Sequence, residues 1–348
     1  MIKRFLFGIV FIALFCSHDM FLKLDGFFLE PQTQAVIALY NGTFEKSDNV
    51  IARNRMLDVS LVGNGKRMAI DSAQWYEEDN ITFLKIPSGD AGTKLVGVST
   101  APRNISLSAE DFNRYLEHDG VVDMLNWRKE NNAMDQDAVE RYSKHVKTIF
   151  QVGETQSNDW STVLGYPIEF VPLENPYDVH TGHTLAVKLL LNGSLLANQW
   201  VYVGHETSKE AHEHDHHHDH NTAHSHDHDD DHANTGHQHP FVEQLLTDEK
   251  GIVEIDITAK GVWYLRTIHM AQSKEEGLTH ESNWATLTFA IGDGHSHDHD
   301  DHDSDGHQEE HDHDNDDHDH HWHIPSYAYW IGSIVLILVL FLVFNRKT

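Results

Sequence analysis

Between residues 20 and 100 the chain is written in short apolar runs separated by turn signals. The runs at 35–40, 57–62, 81–86 and 94–99 are rich in β-formers, and Asn41-Gly42, Gly63-Asn64-Gly65 and Ser88-Gly89-Asp90 break them. Runs of that length between such breaks predict strands. A different rhythm follows from 108 to 150. Ser108 stands where a helix N-cap would, Glu110 and Asp111 fill the first turn, and 135–149 carries apolar residues at helical spacing, so the stretch predicts a helical patch. It is expected to cover one edge or end of the sheets. After Glu174-Asn175-Pro176 strand language returns at 183–191, 198–203, 251–257, 262–270 and 283–290, joined through Asn192-Gly193, Asp248-Glu249-Lys250-Gly251 and Ala259-Lys260-Gly261. The expected fold class is therefore mainly β: two β-sandwich domains, 18–175 and 176–292, with a small helical segment in the first.

Two longer apolar stretches lie outside that rhythm. Met1-Ile2-Lys3-Arg4 is a basic head, 5–15 is apolar and too short to span a membrane, and Cys16-Ser17 supplies small residues before His18, so 1–17 reads as an export signal. Phe15 is bulky where a lipidation signal needs a small side chain, so cleavage after Cys16 or Ser17 is expected. At the other end, 326–344 is free of charge and close to the roughly 20 residues that cross a bilayer. Tyr327, Tyr329 and Trp330 form its interfacial belt and Arg346-Lys347 follow it, which predicts a single transmembrane helix with 345–348 in the cytoplasm. The bulk of the chain is then expected in the periplasm or an equivalent extracytoplasmic space. Cys16 is the one cysteine, so a processed chain has neither disulfides nor thiolate ligands.

Charge changes the picture further. The formal net charge is -30, yet 22 of the 55 acidic residues and 24 of the 31 histidines fall within 204–240 and 292–323. A surface of that sign repels phosphate, which excludes a nucleic-acid partner. The first of these segments interrupts the second β domain as an insertion at 205–240, and the second, at 293–323, forms a stalk before the membrane helix. Both have almost no apolar residues to offset the entropy of ordering, so disordered loops are expected.

Their chemistry is metal ligation. His212, His214, His216, His217, His218 and His220, then His224, His226 and His228, repeat at short spacing with Asp and Glu between them. His295, His297, His299 and His302, and later His311, His313, His318, His320 and His321, do the same in the stalk. In an extended chain, i and i+2 place imidazoles on one side. An ordinary imidazole pKa near ~6.5 leaves most of them as free bases at neutral pH. The interleaved carboxylates attract cations and add oxygen donors. Ligand type ranks copper above nickel and zinc and does not name the cargo. A solvated spacer would need charge or Gly/Ser, not two dozen histidines.

Sharper sites are sought outside the tracts. If cleavage follows Ser17, His18 can offer its α-amine and imidazole to one ion. His269, with Met270 beside it, sits at a predicted strand end. His180, His183 and His280 fall in loops or at strand ends, while His118 and His145 are expected on an exposed helical surface. Zinc-protease spacing, a nucleophile elbow, a phosphate loop and a dinucleotide fingerprint are all missing from the sequence, so an enzyme is not expected.

Ser17-His18-Asp19-Met20-Phe21-Leu22, Phe28-Leu29-Glu30-Pro31, 164–173, Thr247-Asp248-Glu249-Lys250-Gly251, 261–266 and 284–289 resemble recurrent segments of a bacterial domain-of-unknown-function family associated with nickel and cobalt uptake. That resemblance covers roughly 18–292. It implies two β domains, the second immunoglobulin-like or transthyretin-like, and a periplasmic part in transport. The expected function is non-enzymatic capture of a divalent transition-metal ion, nickel or cobalt first with zinc or copper as alternatives, and supply to a membrane metal transporter. Two other classes make distinct predictions: a copper oxidoreductase built on His18, and a surface or sensor protein bridged by zinc through the tracts.

Overall fold

The computed structural model describes residues 18–207 and 243–292. The expected export signal (1–17), most of the first tract, the expected stalk (293–323) and the expected membrane helix (326–344) lie outside the described residues. Among the described residues, no helix is long and apolar enough to cross a membrane.

The fold is mainly β. In chain order the strands are β1 (Asp19–Leu24), β2 (Phe28–Leu29), β3 (Gln34–Gly42), β4 (Met56–Gly63), β5 (Lys66–Ala69), β6 (Trp75–Glu78), β7 (Ile81–Pro87), β8 (Gly92–Thr100) and β9 (Arg103–Leu107). Helices α1 (Ala109–His118) and α2 (Val122–Glu130) precede β10 (Ala138–Val152). There follow β11 (Ile168–Pro172), β12 (Thr184–Leu191), β13 (Ser194–Leu195), β14 (Trp200–Thr207), β15 (Glu243–Leu246), β16 (Ile252–Asp256), β17 (Gly261–Gln272) and β18 (His280–Ile291).

These strands build three sheets. A ten-stranded sheet runs β15-β14-β17-β18-β10-β8-β4-β5, with β2 and β9 also on β10; a four-stranded sheet runs β1-β3-β7-β6, and another joins β11, β13 and β16 to β12. The large sheet draws strands from both sides of residue 175, stitched by the parallel pairing of β10 with β18 from Glu140↔His280 to Thr148↔Thr288.

Side-chain alternation explains the layering. On β8, Leu95 joins the core facing β11, β12 and β16, with Phe170, Leu185, Val187 and Ile255, whereas Val96 and Val98 join the core facing β1, β3 and β7, with Met20, Leu22, Ile37 and Leu84. The large sheet is thus buried on both faces between the two smaller ones. Its central strands consequently read as continuous buried runs, and β8 is buried at every position. A third cluster packs Phe112, Leu116 and Met124 of the helices against Ala138, Ile268 and Trp284, so α1 and α2 cover one end of β10, β17 and β18 as expected.

The structure agrees with the nine strands expected outside the helical patch, shifting their bounds slightly. Ser108 is the N-cap of α1, its Oγ accepting from Asp111 N at 3.2 Å. The expected helix over 135–149 is overturned, because that sequence forms β10, the longest strand among the described residues. Val139, Tyr142, Val146 and Ile149 are spaced three and four apart, which imitates a helical stripe. The polar residues between them are buried too: Glu140, Lys144, His145 and Lys147 are each at most 5 % exposed. A strand with partners on both faces can bury such residues, since each finds a specific hydrogen-bonding group.

Candidate functional site

His18 immediately precedes β1, and β1 is held along β18 by Thr286 and Thr288, whose hydroxyls donate to the Met20 and Leu22 carbonyls. This packing presents His18 to a cavity of about 580 Å³ that Lys144, Glu140 and Trp284 also line. The His18 ring is three-quarters covered, and its Nδ1 lies 3.2 Å from Asp48 Oδ2. Burial lowers its pKa and the Lys144 ammonium adds to that, against an opposing pull from Asp48. The neutral ring is therefore favoured near pH 7. With Nδ1–H directed to Asp48, Nε2 keeps its lone pair, the arrangement in which a carboxylate orients a ligating imidazole.

The surroundings of His18 are unusually charged for an interior. Lys144 Nζ donates to the His18 carbonyl and, at 3.0 Å, to Asn41 Oδ1. Asp19 is 2 % exposed, and its Oδ2 stands 3.2 Å from Arg266 Nε. Burial raises the Asp19 pKa in spite of Arg266, and Asp119 adds repulsion. Arg266 also donates to the Asp119 carbonyl at 2.9 Å, and His118 Nδ1 meets Asp119 Oδ1 at 2.8 Å. Burial pushes Glu140 up to about 7; Tyr115 OH at 3.2 Å and Ser282 OH both donate to its carboxylate.

His269 lines a different cavity, of about 230 Å³, together with Asp123, Gln199 and Met270. Gln199 directs its amide N–H groups to the Ile268 and Trp200 carbonyls, so its Oε1 accepts from His269 Nδ1–H at 2.9 Å. Here too the ring is half-buried, its pKa lowered by burial, and Nε2 is the nitrogen with a free lone pair. His18 and His269 are not brought to one cavity. Among the described residues, no three His, Cys, Asp or Glu side chains are grouped so as to hold an ion.

The remaining histidines sort by partners. His145, expected on an exposed helical surface, is 2 % exposed on β10, with Nδ1 2.9 Å from Ser99 Oγ and Nε2 3.0 Å from Ser143 Oγ. Burial lowers its pKa to about 4, and with both nitrogens bonded it is a structural residue. His280 is buried at the start of β18 against Phe112, its pKa also lowered to about 4. His180 and His183 are exposed in one loop with ring centroids 6.0 Å apart. His205, at the root of the first tract, stacks on Trp263 at 4.5 Å. The predicted ligands from His212 to His228 and from His295 to His321 lie outside the described residues. Sequence reasoning missed Lys144, Glu140 and the arginines Arg55 and Arg103 of the large cavity: the first two lie in a stretch whose spacing predicts helix, and the arginines lie in polar segments with no local signal.

The points where the tracts leave the described fold are themselves informative. In the large sheet, Thr207 pairs with Gly261, and Gly261 pairs on its other side with Ile291. The first tract begins just after Thr207 and the second just after Gly292. Their roots thus sit one strand to either side of Gly261, about 10 Å apart at the usual strand spacing. Trp284 at the His18 cavity lies seven residues back along β18, roughly 24 Å from this end.

The family model described as a domain of unknown function, DUF4198, matches residues 16–271. No curated protein matches the chain significantly. Among solved structures, the D0-D1 domain of Intimin aligns with 77% of this chain and 96% of its own at 11% identity and a TM-score of 0.17. The native conformation of E. coli alpha-2-macroglobulin aligns with 80% of this chain and 14% of its own, at 9% identity and a TM-score of 0.18.

Proposed function

We propose that this chain, which belongs to the DUF4198 family of domains of unknown function, is a non-enzymatic metal-capture protein of the extracytoplasmic membrane surface. Its tracts gather divalent transition-metal ions, nickel or cobalt as the first choice and zinc or copper as alternatives. They then supply a membrane uptake system. The observation that carries this reading is the common root of the two tracts beside Gly261. Two ligand-rich segments whose roots lie about 10 Å apart are tethered to one end of the sheet, so an ion released by one meets the other at high effective concentration.

Chemistry supports the same reading. Neutral imidazole with neighbouring carboxylates coordinates borderline divalent ions, and many weak sites exchange ions faster than one tight site would. Within the folded body, His18 is the best first ligand, since Asp48 orients its ring and Nε2 is a free base. A C-terminal helix at 326–344 would hold the reservoir against the bilayer beside its transporter. Tethering of this kind raises the local ion supply without any new contact.

Isothermal titration of the full chain and of a chain lacking 208–240 and 293–323 tests the proposal. Several ions per full chain and one or none per shortened chain is the expected result, for nickel, cobalt, zinc and copper in turn. Equal stoichiometry in the two chains would overturn it. Self-association of the full chain at saturating zinc, absent with nickel, would instead favour a zinc-bridged surface protein.

A further inference from the structure

The large cavity has a chemistry that ion capture does not use. The chain carries 25 basic against 55 acidic residues, yet the cavity is lined by Arg55, Arg103 and Lys144 against the single carboxyl of Glu140. Lys144 spends its ammonium on Asn41 and the His18 carbonyl. The two arginines are not spent in this way. Arg55 donates to Tyr142 OH at 3.4 Å and to the Ala101 carbonyl at 3.2 Å, and its Nε is buried with no hydrogen-bond partner among the described residues. Arg103 stands exposed on β9 at the rim. Neither forms an ion pair with a carboxylate of the described chain.

A buried guanidinium N–H without an acceptor costs free energy that a bound anion would recover. The volume, about 580 Å³, is in the range of small-molecule pockets. Its walls are mixed: Trp284 and Tyr142 supply aromatic faces, with the Arg55 guanidinium 5.1 Å over the Tyr142 ring, and Ile51 and Leu107 add apolar surface. Glu140, held up to about 7 by burial, puts little negative charge into the pocket below neutrality.

We propose that this cavity binds a small organic anion, with a carboxylate held between Arg55 and Arg103 and an apolar or flat body against Trp284 and Tyr142. The anion is held by groups other than the tract histidines and His18; His18 lines the same cavity, so the two roles are separated by measuring in the absence of metal. It gives the folded body a ligand of its own, about one strand-length from the roots of the tracts.

Titration calorimetry of the full chain in metal-depleted buffer tests it, with benzoate, glutarate and citrate as probes and inorganic phosphate beside them. At least one carboxylate should saturate a single site, and Arg55→Gln and Arg103→Gln should each weaken that binding roughly tenfold or more, the loss of a charge-assisted hydrogen bond. Arg53→Gln, in an exposed arginine paired with Glu77 away from the cavity, should leave it unchanged. Should Arg55→Gln not fold, Arg103→Gln on the exposed rim carries the test alone. Absence of saturable carboxylate binding, affinity that survives the arginine substitutions, or phosphate binding as tightly as the best carboxylate would each overturn the proposal.

Discussion

Strand β10 sends one buried lysine into each outer layer, and the two are held in different ways. Lys147 faces β11, where its ammonium donates to Glu169 Oε2 at 3.0 Å, to the Phe170 carbonyl at 2.9 Å and to the Thr162 carbonyl at 3.2 Å. Glu169 in turn accepts from the backbone N–H groups of Leu164, Gly165 and Tyr166. Three donors meet three acceptors, so the pair is closed. Lys144 faces β1, where it has only neutral acceptors, the His18 carbonyl and Asn41, and it borders the large cavity. Lys147, balanced by a carboxylate, serves the fold; Lys144, whose acceptors are neutral, adds positive charge to a cavity wall where Arg55 and Arg103 also stand without an ion pair among the described residues. The contrast separates a structural clamp from a candidate site on a single strand.

Breaking the clamp should have the largest effect. Lys147→Met leaves the Glu169 carboxylate buried without its cation, and Glu169→Gln leaves the converse; each should cost about 3–5 kcal/mol in chemical denaturation. Lys144→Met removes no carboxylate's sole partner and should cost about 1–3 kcal/mol. Equal losses at the two lysines would erase the distinction between them.

Glu140 sharpens the comparison through pH. Its folded-state pKa is raised from 4.5 to about 7, chiefly by burial. Between those values the folded chain keeps a proton that the unfolded chain releases. Its contribution to stability is therefore fully present below pH 4.5 and is lost as pH rises through about 7. His145, lowered to about 4, acts with the opposite sign: its contribution is present above the unfolded value of 6.5 and is lost as pH falls. The two partly cancel in the wild type, so the difference between variants is the clean measure. Glu140→Gln should gain on the wild type by about 3 kcal/mol between acid and mildly alkaline pH, at 1.36 kcal/mol per pKa unit. A pH-independent difference would mean that Glu140 titrates as an ordinary carboxylate and that the cavity end is as well satisfied as the clamp.

Much of this was legible beforehand. The strands at 35–40, 57–62, 81–86 and 94–99 announced themselves through turn residues, and the N-cap Ser108 announced α1, because such signals are local. The fate of β10 was not local. Its polar residues are buried because Tyr115, Ser99, Glu169 and Asn41 come from distant segments to meet them, and no window along the chain contains those partners. The same cause hid the large cavity, whose arginines come from β9 and from the turn before β4. It also hid the common root of the tracts, which follows from strand order. His18 and His269 were both flagged from sequence, yet their assignment to separate cavities required the packing of β1 on β18 and of Gln199 beneath His269.

The smallest expected effect concerns Lys23, at the root of the first tract. Its ammonium donates to the Phe44 carbonyl at 2.8 Å, lies 3.0 Å from Glu206 Oε2 and sits 4.0 Å from the centroid of the Phe44 ring. Lys23 is largely covered, but Glu206 is 39% exposed, so water and salt screen the pair in a way denied to Lys147 and Glu169. Lys23→Met keeps the apolar stem against Phe44 and removes the charge. The loss should be about 1 kcal/mol, the sum of a partly exposed ion pair and a cation–π contact, and should shrink in high salt as the Glu206 share is screened. A loss as large as that of Lys147→Met, insensitive to salt, would make the tract root a second closed clamp. The root of the first tract would then be part of the core of the fold instead of an attachment at its edge.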